Sequence, residues 1–108
     1  MIFKNVDIKS NDLGDGVSRK VMAHGGKIMA VEVSFEEGAI GSIHSHEHEQ
    51  ASYVLSGKFK VTIDDKESIL IKGDSFYAGP NAMHGVLAIE KGKLLDVFTP
   101  QRDEFLSK

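Results

Sequence analysis

The chain contains no cysteine, which excludes disulfides, thiolate metal sites and cysteine nucleophiles. Any metal ion must therefore be held by nitrogen and oxygen atoms. A basic surplus is also lacking, because 13 Lys and Arg residues stand against 16 Asp and Glu residues, for a formal net charge of -3. Since phosphate contacts need a basic face, this composition argues against nucleic acid as a partner.

Long apolar runs are absent as well. The N-terminal residues MIFKNVDIKSND lack the apolar segment of a signal peptide, and no later run is long enough to cross a membrane. We therefore expect a cytoplasmic protein with no membrane partner. The sequence also has no glycine-rich phosphate-binding motif and no long helical period. A length of 108 residues predicts one domain over residues 1–108, with a core at roughly 17–99 and short terminal arms.

What the sequence does have is alternation with a period of two residues, which is typical of strands with one buried face. This pattern predicts strands at Val17–His24, Ile28–Phe35, Gln50–Leu55, Lys58–Ile63, Glu67–Ile71, Ser75–Ala78, His84–Ile89 and Leu94–Phe98. Hairpin turns are predicted at Gly25-Gly26, Asp64-Asp65 and Lys91-Gly92, with a further break at Ser56-Gly57. Many short strands indicate an all-β sandwich or barrel, whose mouth can hold a ligand.

The segment HSHEHEQ, residues 44–50, concentrates potential metal ligands. On a strand, His44 and His46 would point the same way about 6.6 Å apart, a spacing from which two ring nitrogens can bind one ion. His84 follows the turn formed by residues 79–81, which can bring it back as a further ligand. His48 shares the parity of His46 and is a rival ligand. We expect His48 at the rim, because a turn is predicted before Gln50.

A second group of candidate residues lies in LLDVFTPQRDEF, residues 94–105. Asp96 and Phe98 have the same strand parity, and burial of a carboxyl group without a partner would raise its pKa, which suits proton transfer. Arg102 could fold back over the mouth and bind a carboxylate through two parallel hydrogen bonds, and residues 101–105 could form a turn of helix. On composition alone a simpler interpretation is preferred, in which Asp96 faces solvent or pairs with Lys93 and Arg102 is a tail residue.

The spacing of the first cluster resembles the first motif of the cupin superfamily, which is matched here by Gly38, His44, His46, Gln50 and Gly57. Gln50 replaces the usual Glu. The second cupin motif is matched at Gly73 and His84, whereas Pro80 is displaced by one position, Asn81 replaces a glycine and Ala88 replaces an asparagine. Asn tolerates the left-handed backbone better than most residues. The resemblance implies a small single-domain jelly-roll barrel, or double-stranded β-helix.

The cupin resemblance also implies that one divalent transition metal ion is bound by His44, His46, Gln50 and His84. Zn, Ni, Fe, Co, Cu and Mn all suit nitrogen and oxygen donors. A neutral Gln50 leaves the charge of the ion uncompensated, so the site should be a stronger Lewis acid and a better anion trap than one with Glu. A passive hydrogen-bonding role for Gln50 is the alternative. Cupins are often dimers, so a homodimer is expected.

Together with Asp96, Phe98 and Arg102, the sequence HSHEHEQ resembles the KdgF family of pectin-degradation cupins. That resemblance implies metal-dependent ring opening of 4,5-unsaturated monouronates from pectin or alginate, which gives the linear 5-keto-4-deoxyuronate. It implies that Asp96, Phe98 and Arg102 contact or transform an acidic sugar. The alternatives are a metal-dependent cupin dioxygenase acting on a small organic substrate, a non-catalytic sugar- or metabolite-binding cupin, and a structural barrel whose histidines cluster by chance.

Overall fold

A computed structural model describes residues 1–106 of the chain. The strands are β1 (Asn11–Gly14), β2 (Val17–Gly25), β3 (Ile28–Phe35), β4 (Ile40–His44), β5 (Glu49–Ile63), β6 (Lys66–Ile71), β7 (Ser75–Ala78) and β8 (His84–Thr99). Two 3₁₀ helices occupy Asn5–Asp7 and Asp103–Leu106. The all-β prediction is confirmed. No helix in the described part of the chain is long and apolar enough to span a membrane.

All strand pairs are antiparallel, and the order across the sheet is β1-β2-β3-β8-β5-β6. The short strand β4 pairs with the first half of β8, and β7 pairs with the first half of β5. Strands β5 and β8 are the two longest, and they pair from Glu49 opposite Thr99 to Ile63 opposite His84. These two strands therefore supply inward-facing side chains to both ends of the fold.

Two predicted interruptions are wrong. Ser56-Gly57 lies within β5 and Lys91-Gly92 lies within β8, so four predicted strands are two long ones. The glycines are needed because the two strands touch here: Gly57 has φ +85°, and a Cβ atom on it would lie 2.6 Å from the Cα atom of Gly92. The pairing register shifts on both sides of this point. Glycine here marks a bulge and a close backbone approach rather than a chain reversal.

The predicted hairpins near residue 25 and at Asp64-Asp65 are present, and both aspartates have positive φ, as a tight two-residue turn requires. Strand β1 is additional to the predicted strands, and β4 ends at His44 instead of continuing to His46. Both strands are short. All four residues of β1 are exposed, and a strand without a buried face needs no alternation of apolar residues in its sequence. Strand β4 matters for the site because it ends at His44.

The core has two parts. The larger cluster contains the buried residues Phe35, Ala39, Val54, Phe59, Val61, Ala88 and Leu94. The smaller cluster is built on Met29, Val31 and Phe98, with Phe105 of the C-terminal 3₁₀ helix packed against it. Burial of these apolar side chains is the main stabilising contribution to the fold. The smaller cluster also fixes one wall of the candidate site.

Candidate functional site

Three histidines converge at one end of the fold. His44 ends β4 and lies directly opposite His84, the first residue of β8. His46 belongs to the loop that follows β4, so the expected common strand for His44 and His46 is wrong. One ligand atom from each ring lies within 4.8 Å of the other two. The three rings can therefore hold one metal ion between them.

The loop around His46 is held by the turn that precedes β8. The backbone N–H of Asn81 donates to the carbonyl oxygen of His46 at 2.7 Å. Asn81 has φ +63°, the left-handed conformation that Asn tolerates. This contact ties the turn before His84 to the loop after His44, which is how residues distant in sequence reach one site.

Each of the three rings has a fixed tautomer. The Nδ1 atoms of His44, His46 and His84 lie 2.8, 2.9 and 2.9 Å from the backbone carbonyl oxygens of Ser42, His48 and Ala82. Because a carbonyl oxygen only accepts, each Nδ1 must carry the hydrogen. In a neutral ring the lone pair then lies on Nε2. Hydrogen bonding of the other ring nitrogen to a backbone carbonyl is the usual arrangement of a metal-ligating histidine.

Gln50 faces these lone pairs with its carbonyl group. Its Oε1 atom lies 3.0 Å from Nε2 of His46 and 3.0 Å from Nε2 of His84. The amide orientation is set from the other side, because Gln50 Nε2 donates to Ser52 Oγ at 2.9 Å and Ser52 Oγ donates to Asp96 at 2.6 Å. The Gln50 oxygen and the two Nε2 atoms are thus three acceptors placed close together with no hydrogen between them.

A shared cation relieves that repulsion between acceptors, so the donor set fits a divalent metal. Burial is the first cause that lowers the pKa of His46 and of His84, which favours the neutral form that binds metals. The positive charge of Arg102 also lowers the pKa of both rings. The nitrogen and oxygen donors are those that zinc and its first-row neighbours accept.

Asp96 lies on β8, two residues before Phe98, which pairs with Gln50. It is the cross-strand partner of Ser52, and its side chain is only half-buried against the cavity. Burial raises the pKa of Asp96 to about 6, against the opposing effects of the Ser52 hydrogen bond and the charge of Arg102. The simpler expectation that Asp96 pairs with Lys93 is wrong, because Lys93 lies 3.5 Å from Glu32. A carboxyl group with this pKa can exchange a proton near neutral pH.

Phe98 and Arg102 form the opposite wall. Phe98 is buried beneath the ring of His46, with ring centroids 5.7 Å apart. The guanidinium of Arg102 lies 5.1 Å from the Phe98 ring centroid, and its Nε donates to Glu104 at 2.7 Å. The Arg102 side chain is only 13% exposed, so its description as a free tail residue is wrong. The predicted turn of helix at residues 101–105 is found as the 3₁₀ helix Asp103–Leu106.

These groups share one cavity of about 250 Å³. Its lining includes His44, Gln50, His84, Asp96, Phe98 and Arg102 from the predicted set. His46 is half-buried behind this lining and reaches the cluster through its ring. His48 lies outside the three-histidine group, with its ring centroid 5.6 Å from that of His46, and it supplies the carbonyl that orients His46.

Sequence reasoning missed three residues near the cavity: Ser52, Arg19 and Phe105. Ser52 shares strand parity with Gln50, and Arg19 shares it with Val17 and Val21, so a polar residue at an inward position was the available signal in both cases. No sequence signal marks Phe105, because it belongs to a short helix after β8.

Comparison with known proteins places these features in a context. A family profile described as the cupin domain matches residues 31–98. The chain is 44% identical over 97 residues to the pectin degradation protein KdgF of Dickeya dadantii (strain 3937), a match that covers 88% of each chain. The structure of KdgF from Halomonas sp. matches with a TM-score of 0.92 and 39% identity, covering 97% of both chains.

An RmlC-like cupin from Shewanella frigidimarina NCIMB 400 matches with a TM-score of 0.94 and 36% identity, over 96% of this chain and 94% of that one. A variant of oxalate decarboxylase from B. subtilis matches with a TM-score of 0.84 at 22% identity, over 94% of this chain and 30% of that one. The last likeness concerns the fold alone. With the first two structures, it confirms the predicted cupin jelly roll.

Proposed function

The chain belongs to the cupin family and is a homologue of KdgF, and from this premise we propose that it opens the ring of 4,5-unsaturated monouronates. The product is the linear 5-keto-4-deoxyuronate, and the reaction requires a bound divalent metal ion. The name of the Dickeya relative, a pectin degradation protein, supports a sugar acid as the substrate class.

One observation carries the proposal: a hydrogen-bond chain joins a carboxyl group to the histidine cluster within one cavity. Asp96 accepts from Ser52, Ser52 accepts from Gln50, and the Gln50 carbonyl faces the rings of His46 and His84. A purely structural barrel has no need of a buried polar chain, because apolar packing would satisfy the same space. A proton-transfer group held beside a cation site is what an acid–base isomerisation needs.

His44, His46, His84 and Gln50 would hold the metal ion. When bound, the ion supplies electrostatic stabilisation for the negative charge that develops on the departing ring oxygen. Gln50 adds no charge of its own, so the cluster keeps the full positive charge of the ion. The three rings already have the tautomer that leaves Nε2 free.

Asp96 is assigned to proton transfer. In its ionised form it takes the proton of the anomeric hydroxyl, the C1–O bond of the ring breaks, and C1 becomes an aldehyde carbon. The electron pair of the broken bond remains on the ring oxygen as the enolate of C5. Return of a proton to C4 then gives the 5-keto product. Atoms and electrons balance without an oxidant or a reductant.

Arg102 is assigned to the substrate carboxylate and Phe98 to packing against the sugar ring. Arg102 lines the cavity beside Phe98, and a planar guanidinium matches a carboxylate with parallel hydrogen bonds. Binding the carboxylate there would orient the alkene carbon toward Asp96. Orientation of this kind is a large part of what an isomerase contributes.

The direct test supplies a freshly generated unsaturated monouronate and follows its ultraviolet alkene absorbance. We expect the absorbance to fall with enzyme and metal and to stay unchanged with a chelator. No oxygen should be consumed during the reaction. Oxygen uptake in parallel with substrate loss would instead favour the dioxygenase. Ligand-dependent stabilisation without loss of absorbance would favour the binding protein. The cytoplasmic location, the homodimer and the single domain of residues 1–108 remain predictions.

A further inference from the structure

Arg19 occupies an inward position on β2. Its neighbours at the same parity, Val17 and Val21, pack against the two core clusters, whereas Lys20 points outward and its Nζ lies 2.8 Å from Asn5 Oδ1. Arg19 lines the same cavity as His44 and Asp96. A charged side chain on the inner wall of a small barrel requires an explanation, because an arginine there loses much of its hydration.

The charge of Glu104 offsets part of the charge of Arg19, but no ion pair to Arg19 forms within residues 1–106. The Nε atom of Arg19 is buried without a hydrogen-bond partner. Arg102 differs, because its Nε donates to Glu104 at 2.7 Å. A buried N–H donor without an acceptor is costly. Arg19 therefore has an unsatisfied donor at this position, whereas the Nε of Arg102 is satisfied.

Phe105 holds the guanidinium of Arg19 in place. The guanidinium carbon lies 3.8 Å from the centroid of the Phe105 ring, while that of Arg102 lies 4.5 Å from the same centroid. Stacking uses the face of the planar group and leaves its edge, with the N–H donors, available. Burial, and then the like charge of Arg102, lower the pKa of Arg19 and outweigh the opposing effect of the Glu104 charge.

We propose that Arg19 is a second binding residue for the acidic sugar, pairing with its carboxylate and making the cavity selective for uronates over neutral sugars. This inference rests on the proposed function for the identity of the substrate. Arg102 Nε already donates to Glu104, whereas the Nε donor of Arg19 has no partner and is available to a ligand carboxylate. The guanidiniums of Arg19 and Arg102 both lie against the Phe105 ring, and Arg19 is the one whose Nε has no hydrogen-bond partner.

The kinetic test uses Arg19→Gln with the unsaturated monouronate. Losing a charge-assisted hydrogen bond should raise KM by about 10- to 100-fold. The value of kcat should change much less, because Arg19 takes no part in proton transfer. Lys20→Gln is the matched control, since it removes the same charge from the outer face of the same strand, and its KM should equal that of the wild type. Equal KM values for Arg19→Gln and the wild type would overturn the assignment.

A binding test separates this inference from the proposed reaction. Calorimetric titration should show that the wild type binds galacturonate more tightly than galactose and that Arg19→Gln has lost this preference. If the wild type turns over no unsaturated monouronate but still shows this pattern, the reaction is wrong and the role of Arg19 stands. If the wild type does not distinguish the two sugars, the role of Arg19 is rejected.

Arg19→Lys keeps the test decisive if Arg19→Gln fails to fold. It retains the positive charge but not the planar fork, so it should keep the preference for galacturonate with a weaker affinity than the wild type. An affinity equal to that of the wild type would show that the fork makes no contact with the sugar. Melting temperatures of both variants should be reported beside the binding data.

Discussion

The two ends of the β5–β8 pair have the same backbone and different interiors. On one side of the Gly57–Gly92 contact, the inward positions hold Phe59, Val61 and Ala88, which are buried and apolar. On the other side they include Gln50 and Ser52, which are buried and polar, beside the buried apolar Val54 and Phe98. His84 begins β8 on the first side, and its ring meets Gln50 at the candidate site. We call the half with Phe59 the apolar end and the half with Gln50, Ser52 and Asp96 the polar end.

This comparison separates two roles that burial alone does not distinguish. At the apolar end each side chain contributes by area and shape, so any large truncation costs stability. At the polar end, Gln50 and Asp96 are held by hydrogen bonds to Ser52, which offset part of the cost of burying their polar groups. Mutations at the two ends should consequently separate stability from activity.

The largest expected effect is that of Asp96→Asn at the polar end. Removing the proton-transfer group should slow ring opening by about 10²- to 10⁴-fold while the fold and the metal content stay intact. Steady-state kinetics and metal analysis check this. Asp65→Asn, in the exposed turn between β5 and β6, is the control and should retain full activity. Near-normal turnover by Asp96→Asn would reject the role assigned to Asp96.

Phe59→Ala, at the apolar end, should have its main effect on stability instead of on activity. Phe59 is fully buried and packs edge-on against Phe35, with ring centroids 5.3 Å apart. Truncating such a ring costs about 3–5 kcal/mol of unfolding free energy, which denaturant titration measures. Tyr53→Ala, on the outer face of the same strand, should cost much less. A stable Phe59→Ala variant would show that the cluster around Phe59 is not the main core.

The polar end should also make the unfolding free energy depend on pH, through Asp96. In metal-free protein, the raised pKa of Asp96, about 6 against an ordinary value of 3.8, means that the folded state binds this proton more tightly than the unfolded state. The resulting stability is fully present below pH 4 and is lost as the pH rises through 6. The loss should be about 2 kcal/mol, less than the full shift implies, because the half-buried carboxyl group borders the cavity.

Unfolding free energies of the wild type and Asp96→Asn, measured with a chelator from pH 4 to pH 7, test this sign. The variant should become more stable relative to the wild type as the pH rises. Groups common to both proteins largely cancel in the difference. A difference that is flat, or that falls with pH, would mean that Asp96 has an ordinary or lowered pKa in the folded protein.

Ser52→Ala should affect activity less than Asp96→Asn does. It removes the donor to Asp96 and the acceptor of the Gln50 amide, which should lower the unfolding free energy by about 1–3 kcal/mol. Because the Ser52 hydrogen bond lowers the pKa of Asp96, its removal should move the acid limb of the pH–rate profile to higher pH. Ser75→Ala, at an exposed position on β7, is the control. An unshifted acid limb would place Ser52 outside the proton-transfer chain.

The sequence predicts the apolar end better than the polar end, for physical reasons. Alternation and turn residues located most strands, but Gly57 and Gly92 were interpreted as turns, because a bulge and a hairpin both favour glycine. The spacing of His44, His46 and His84 indicated a shared ion, and the structure brings their rings together. That His46 reaches the cluster from a loop depends on its contact with Asn81, which no local pattern encodes.

The segment from Asp96 to Phe105 was the hardest part to predict. Asp96 carried a signal, an acid at an inward parity, but the choice between solvent and cavity depended on its pairing with Ser52 across two strands. The sequence also gave no reason to connect Phe105 with Arg19, because their contact joins a helix after the last strand to the second strand. Long-range pairings of this kind decide which polar residues meet, and local propensity does not specify them.

Crystals grown with a first-row divalent ion, and measured at the absorption edge of that ion, would show whether the histidine cluster binds a metal. We expect one strong anomalous peak between the Nε2 atoms of His44, His46 and His84 and the carbonyl oxygen of Gln50. An anomalous map without a peak there, with the four side chains ordered, would contradict the claim that this end of the fold is a metal centre.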